Sequence, residues 1–234
     1  MTIPLNILII CDNSYFYYSK YLINSIKKNV TIPYKLNCYG IKLKKKHINY
    51  LESNNCLVIN DPIKLSNDPD ITNMFSKSKL SSYCANIRAK VIYDMMIRGD
   101  KYILYLDIDS LVRKDLKELF ELIKKSNIVI KIREDQLKDY LKVMTGVIGI
   151  NNNLQSIKFI ERWKDLSINE NRLYKWYTDQ ITFTKVMNNY LTEITCLPNE
   201  YIDCVFYNRT YIWCGKGNRK KDNLTYLHET RKYK

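Results

Sequence analysis

Apolar and polar positions alternate along this chain in blocks that read as strands and helices in turn. Leu5 to Cys11 is an apolar run, as expected of a strand buried on both faces. Ser14 to Asn29 follows with Tyr18, Leu22, Ile23 and Ile26 at helical spacing, and Ser14 stands where an N-cap would. Lys35 to Ile41 predicts a strand, Lys44 to Ser53 a short helix and Cys56 to Asn60 a third strand. Asp61 to Lys79 carries Pro62, Pro69 and many Asn, Asp and Ser residues, so it predicts a loop. Ser81 to Arg98 is the clearest helix, with Ile87, Val91 and Met95 on one stripe beside Cys84 and Ile92, and Gly99-Asp100 ends it. Tyr102 to Leu106 is a short apolar run of the central-strand kind. Beyond it the pattern predicts helices over Asp115–Lys125, Leu154–Leu166 and Thr178–Asn189, and strands over Ile128–Ile132 and Val143–Ile150. From Ile194 the chain is irregular, with short strands expected at Tyr211–Cys214 and Leu224–His228. Strands alternating with crossover helices predict an α/β fold, a single Rossmann-like, mostly parallel sheet flanked by helices.

Composition narrows this picture only a little. A length of 234 residues with 46% apolar content supports one core and one domain over 1–234. No window approaches the roughly 18 consecutive apolar residues of a membrane span. Met1 to Cys11 has no basic stretch before it and no small-residue cleavage site after it, so it reads as a first strand rather than a secretion signal. The seven cysteines are scattered, without C-x-x-C spacing, and read as buried free thiols of a reducing, cytoplasmic setting. The net charge of +14 suits an anionic partner. Yet Lys is abundant throughout, and the runs Lys44-Lys45-Lys46 and Arg219-Lys220-Lys221 lie in no nucleic-acid motif. The charge reads mainly as a solvated surface, with some attraction for phosphate and no nucleic-acid partner.

The chemistry begins at Leu104-Tyr105-Leu106-Asp107-Ile108-Asp109-Ser110. Two carboxylates one residue apart, directly after a buried strand, repel each other unless something positive compensates. A hard divalent cation such as Mg²⁺ or Mn²⁺ suits them. The plainer reading is that one of them caps the following turn. In parallel sheets ligands bind at the carboxyl ends of strands near a switch in strand order, where Cys11-Asp12-Asn13 and Asp107-Ile108-Asp109 would share one cleft.

The stretch Tyr102 to Val112, running on to Asp115-Leu116, resembles the YLDxDxLV…DL signature of retaining GT-A glycosyltransferases, in particular the glycogenin and lipopolysaccharide-galactosyltransferase-like group (family 8). Arg88-Ala89-Lys90 lies where that family has a basic helix. Thr145-Gly146-Val147-Ile148-Gly149-Ile150-Asn151 is similar to its NxGvmlxn strand, Asp179-Gln180 to its DQ pair and Leu197 to Tyr201 to its LPxxYN segment. Leu227 to Lys232 resembles its C-terminal HxxGxxKPW.

The resemblance implies a GT-A domain, with 1–110 as a nucleotide-binding half ending in the DxD and 111–234 as a donor-sugar and acceptor half with a metal-binding tail. It implies Mn²⁺ (or Mg²⁺) on Asp107, Asp109 and His228, with the nucleotide sugar as donor. Asn13 and Tyr15 would lie near the base, Arg88, Lys90 and Ile108 along the donor, and Gly146 where backbone approaches the sugar. Asp179, with Gln180, would meet sugar hydroxyls near the anomeric carbon, and Lys232, with Arg231, the diphosphate. Tyr174, Trp176 and Tyr177 would offer flat faces to an acceptor. Two departures stand out: Thr145 replaces the asparagine before the glycine, and Glu229-Thr230 and Tyr233 replace the glycine and Pro-Trp of the tail.

The implied activity is transfer of a hexose, from UDP-glucose or UDP-galactose, to a hydroxyl of a glycan, protein or small molecule with retention; a homodimer is a further expectation. A nucleotidyltransferase would place a glycine-rich basic loop after the first strand, where this chain has Cys11-Asp12-Asn13-Ser14-Tyr15. A basic nucleic-acid-binding module would leave the ordered motifs unexplained. The 20 tyrosines suggest self-glycosylation, but the general compositional bias accounts for them.

Overall fold

In the computed structural model, residues 2–61, 83–169, 177–190, 192–215 and 219–234 are described. Most of the loop expected over Asp61 to Lys79, together with Tyr174 and Trp176, lies outside them. The first half builds β1 (Leu5–Asp12), α1 (Phe16–Asn29), β2 (Tyr34–Ile41), α2 (Lys45–Ser53), β3 (Cys56–Asp61), α3 (Arg88–Ile97) and β4 (Tyr102–Leu106). Then come β5 (Ser110–Val112), α4 (Lys117–Lys125), β6 (Ile128–Ile132), α5 (Asp139–Lys142) and β7 (Val143–Asn151). The chain ends with α6 (Leu154–Asn169), α7 (Thr178–Asn189), β8 (Ile194–Cys196), β9 (Ile202–Asp203), β10 (Ile212–Cys214), α8 (Arg219–Asp222) and α9 (Leu224–Arg231).

Seven strands form one sheet in the order β3-β2-β1-β4-β7-β6-β8, and β5-β10-β9 form a second. Within the large sheet β7 alone runs against its neighbours. Strand alternation splits the core in two. Leu5, Ile7, Ile9 and Cys11 of β1, with Leu104 and Leu106 of β4, face a layer that includes Leu22, Ile26 and Leu51 of α1 and α2. Leu8, Ile10, Ile103 and Tyr105 face Ile92 and Met96 of α3 and Trp163 of α6. Every residue of β1 is buried, so its apolar run is the sequence image of cover on both faces. No helix among the described residues is long and apolar enough to cross a membrane.

Two expectations change. The segment Leu224–Arg231 is a helix, not a strand. Asn223 caps it, its side chain accepting from the Tyr226 amide at 3.0 Å, while Tyr226, Glu229 and Thr230 form the buried stripe. At the start of α1 the N-cap is Tyr15 rather than Ser14, and among the described residues no side chain caps the helix. Asp12 accepts from the Tyr15 amide at 2.8 Å and from the Ser14 hydroxyl at 2.8 Å.

Candidate active site

Strand order reverses around β1, which has β2 on one side and β4 on the other. A cleft of about 210 Å³ opens at the carboxyl ends of these strands, as parallel sheets lead one to expect. Its walls include Asp12 and Tyr15 after β1, Asp107, Ile108 and Asp109 after β4, and Arg88 from α3. Met144, Thr145 and Gly146 of β7, Tyr177, Asp179 and Gln180 at the start of α7, and Cys214, Gly215 and Lys220 complete much of the rest.

The acidic pair is placed by both sheets. The Asp107 amide donates to the Gly146 carbonyl at 2.8 Å, extending the β4–β7 ladder by one residue. The Ser110 amide then donates to the Asp107 carbonyl at 2.9 Å, closing a turn that feeds β5 into the small sheet. Gly146 is required at its position: a Cβ there would meet Asp107 Oδ2 at 2.7 Å. Gly215 stands against the other carboxylate residue, donating its amide to the Asp109 carbonyl at 3.1 Å, and a Cβ on it would meet that oxygen at 2.9 Å.

Each carboxylate of the pair has a cation of this chain. Arg88 is 5% exposed. Its guanidinium lies 3.3 Å from Asp107 Oδ1 and 3.6 Å from Asp179 Oδ2, donates to the carbonyls of Ala85 and Thr145, and rests 4.8 Å from the Tyr105 ring centre. Burial works against its charge, but Tyr105, Asp107 and Asp179 outweigh that and raise its pKa. Asp109 is buried and pairs with the Lys220 ammonium. Burial lifts the Asp109 carboxyl to about 6, with Lys220 pulling it down and Asp107 pushing it up. Asp179 is buried at the N-terminus of α7, where it accepts from the Thr145 hydroxyl, and burial raises its pKa against the pull of Arg88 and Thr145. Tyr177 just before it is left-handed at φ 66°, a costly conformation for a tyrosine that turns the chain into the helix beside the cleft.

Arg133, at the end of β6, was not singled out from the sequence. It also lines the cleft, and its Nε and Nη2 are buried with no hydrogen-bond partner among the described residues. Such desolvated donors suit an oxygen-rich ligand.

Other expected residues lie elsewhere. Asn13 is tied into the β2–α2 connection, donating to the Lys42 carbonyl and accepting from the Lys44 amide, with its oxygen 2.9 Å from His47 Nδ1. Lys90 pairs with Asp94 at 2.6 Å across one helical turn, and Lys232 with Glu229 at 2.7 Å. His228 is exposed on α9. None of these four is among the residues lining the cleft. Helix α9 reaches the acidic pair through Tyr226, whose hydroxyl donates to the Asp109 carbonyl at 2.8 Å.

The residues meeting the pair are therefore Gly215 and Lys220, not His228 or Lys232. Gly215 and Lys220 stand five residues apart, so they do not reproduce the expected tail pattern, in which glycine and lysine are three apart. Three residues before Gly215 stands Ile212, which is fully buried and no ligand.

A divalent ion does not fit this donor set. Lys220 and Arg88 already neutralise the two carboxylates, and His228 is turned away on another element. Cys214 lines the cleft, but burial raises its thiol pKa and sulfur suits Mn²⁺ or Mg²⁺ poorly. Among the described residues, no group of three His, Cys, Asp or Glu side chains is arranged to hold an ion.

A family model described as "Glycosyl transferase family 8" matches residues 6–162. Comparison with curated proteins found no match. Among solved structures, the glycosyltransferase GlyE of Streptococcus pneumoniae TIGR4 superposes with a TM-score of 0.64 at 16% identity, covering 98% of this chain and 60% of GlyE. The galactosyltransferase LgtC, solved with donor and acceptor sugar analogues, gives 0.60 at 15% identity over 97% of this chain and 93% of LgtC. Mouse xyloside xylosyltransferase 1 gives 0.59 at 12% identity over 93% of this chain and 99% of its own. The chain thus spans about three fifths of GlyE, and nearly all of the other two. The shared architecture is the GT-A fold. With the match running from β1 into α6, the chain belongs to glycosyl transferase family 8.

Proposed function

We propose that this chain is a glycosyltransferase that moves a hexose from a nucleoside diphosphate sugar, UDP-glucose or UDP-galactose, to a hydroxyl acceptor with retention. The observation that carries the reading is the meeting of Asp107, Asp109, Arg88, Asp179 and Lys220 in one cleft at the switch in strand order. Breaking a sugar–phosphate bond puts negative charge on the departing diphosphate, and preorganised cations lower that barrier most where water is excluded. Lys220 serves the diphosphate, while Arg88 holds Asp107 and Asp179 at their spacing. Tyr15 gives a flat face to the base, and Ile108 an apolar contact beside it. Gly146 leaves room for the Asp107 carboxylate beside the sugar, and Asp179 with Gln180 takes sugar hydroxyls. Arg133, whose buried nitrogens have no partner among the described residues, meets oxygens of donor or acceptor.

Retention through a covalent intermediate needs a carboxylate free to attack. Asp179 is 2% exposed, accepts from Thr145 and faces Arg88. That arrangement favours a positioning role, and with it attack of the acceptor on the same face from which the phosphate leaves, the phosphate taking the acceptor proton. Lys220 and Arg88, rather than Mn²⁺ or Mg²⁺, supply the positive charge beside the two carboxylates.

The test is transfer from a panel of nucleotide sugars to glycan, peptide and small-molecule acceptors, with products weighed by mass spectrometry and the new anomeric centre assigned by NMR. The expected product carries one added hexose with the donor's anomeric configuration. An inverted centre would contradict the proposed geometry of attack, and the absence of product with any donor and acceptor would count against the transferase itself.

A further inference from the structure

The acidic pair of this cleft is compensated by a lysine held in place by several independent contacts. Lys220 sits between neighbours that sequence would call surface, and Lys221 and Asp222 are indeed exposed. Lys220 itself is only 4% exposed. Its ammonium pairs with Asp109 Oδ2 and lies 3.4 Å from the Gly215 carbonyl. The same ammonium stands 4.4 Å from the Tyr15 ring centre and 4.9 Å from that of Tyr18, so two aromatic faces add cation–π attraction. Its stem passes Gly215 so closely that a Cβ there would meet Lys220 Cδ at 3.1 Å. The Tyr226 hydroxyl fixes the Asp109 backbone from the other side. A buried ammonium is costly unless it is paired and hydrogen-bonded, and here both conditions are met.

We infer that Lys220 is the resident cation of the diphosphate site, and that donor binding by this chain is independent of divalent metal. The inference rests on the reading of the cleft as a nucleotide-sugar site. The physical argument is one of charge and space. A divalent ion on Asp107 and Asp109 would have to expel Lys220 from a position where a carboxylate, a carbonyl and two aromatic rings hold it. It would then find no third His, Cys, Asp or Glu arranged to join them among the described residues. An ammonium on a four-carbon stem needs no such rearrangement. It can keep one hydrogen on Asp109 and direct another at a phosphate oxygen, having three donors in all. Arg88 is a poorer candidate, since two carbonyls accept from it and two carboxylates already pair with it.

Calorimetric titration of the full chain with UDP, in EDTA and again in Mn²⁺, decides the matter, with GDP and ADP run alongside. UDP should bind in EDTA, and Mn²⁺ should change its Kd by less than about threefold. In EDTA, Lys220→Met should weaken UDP at least about tenfold, the loss expected of one charge-assisted hydrogen bond. Electron paramagnetic resonance adds a readout free of nucleotide: titrated Mn²⁺ should keep the spectrum of the aquated ion with the wild-type chain. Nucleotide that binds only with Mn²⁺, or Mn²⁺ that binds the wild-type chain tightly alone, would overturn the inference and leave the transferase reading standing. Failure of every nucleotide under both conditions would overturn the two together. The comparison of EDTA with Mn²⁺ uses only wild-type protein, so it holds even if Lys220→Met fails to fold.

Discussion

The site's selectivity rests on single atoms. Gly146 is the sharpest case, since the space a methyl group would fill is held by the Asp107 carboxylate. Gly146→Ala should therefore move Asp107 and lower donor turnover at least about tenfold, through misplacement rather than unfolding. A thermal melt within a few degrees of wild type, beside the lost turnover, is the expected pair of results. Wild-type turnover would show that the Asp107 position does not matter. Lys220 shows why part of the site was not legible in the sequence. Arg219-Lys220-Lys221 reads as a solvated run, and what buries Lys220 is an aspartate 111 residues away. Local pattern carries no trace of such a pair. Asp107 and Asp109 were legible because a buried strand leads directly into them, and a buried strand announces itself by its apolar run. Arg88 was legible as a cation on a helix, but Lys90 two residues on carried the same signal and lies on the outer face against Asp94.

Among the elements, β1 and β4 were readable because both faces of each are covered, so the run of apolar residues is continuous. Helix α9 was misread because Leu224-Thr225-Tyr226-Leu227 is rich in residues that also favour strands. The helical signal lay in its spacing: Tyr226, Glu229, Thr230 and Tyr233 fall at i, i+3, i+4 and i+7, and all are buried. Asn223 supplied the cap. The consequence is functional, because a helix points His228 outward where a strand was expected to deliver it to the acidic pair. His228→Ala should leave donor turnover within about twofold of wild type, as an exposed substitution ordinarily does. A drop of tenfold or more would mean that His228 reaches the reacting centre after all.

At the scale of the whole molecule, the two sheets are joined around the cleft. Beta strand β5 leaves the acidic pair and pairs with β10, and β10 leads on to Gly215 and Lys220. Tyr226 of α9 and Tyr233 just after it then pack with Leu111 and Trp213 behind the site. An ion-pair cluster ties this tail to the rest: Glu229 Oε1 lies 3.2 Å from Arg113, and Lys232 pairs with its other oxygen. Burial raises the Glu229 pKa, but the bonds to Lys232 and Arg113 outweigh it and hold the carboxyl below its ordinary 4.5. A depressed carboxyl stabilises the fold above its unfolded pKa, and that contribution disappears as pH falls through the folded value. Glu229→Gln should thus be less stable than wild type in urea at about pH 7, and the gap should narrow as pH falls below the ordinary 4.5. A gap that persists unchanged in acid would mean that the ion pairs do not fasten the tail.

The central claim is that the cleft around Asp107 cleaves a nucleotide sugar. Its most direct test is the release of nucleoside diphosphate from UDP-glucose, UDP-galactose and related donors, comparing wild type with Asp107→Asn. The account predicts release from at least one donor, reduced about a hundredfold or more by the substitution with the fold intact. Equal release by the two proteins would contradict it.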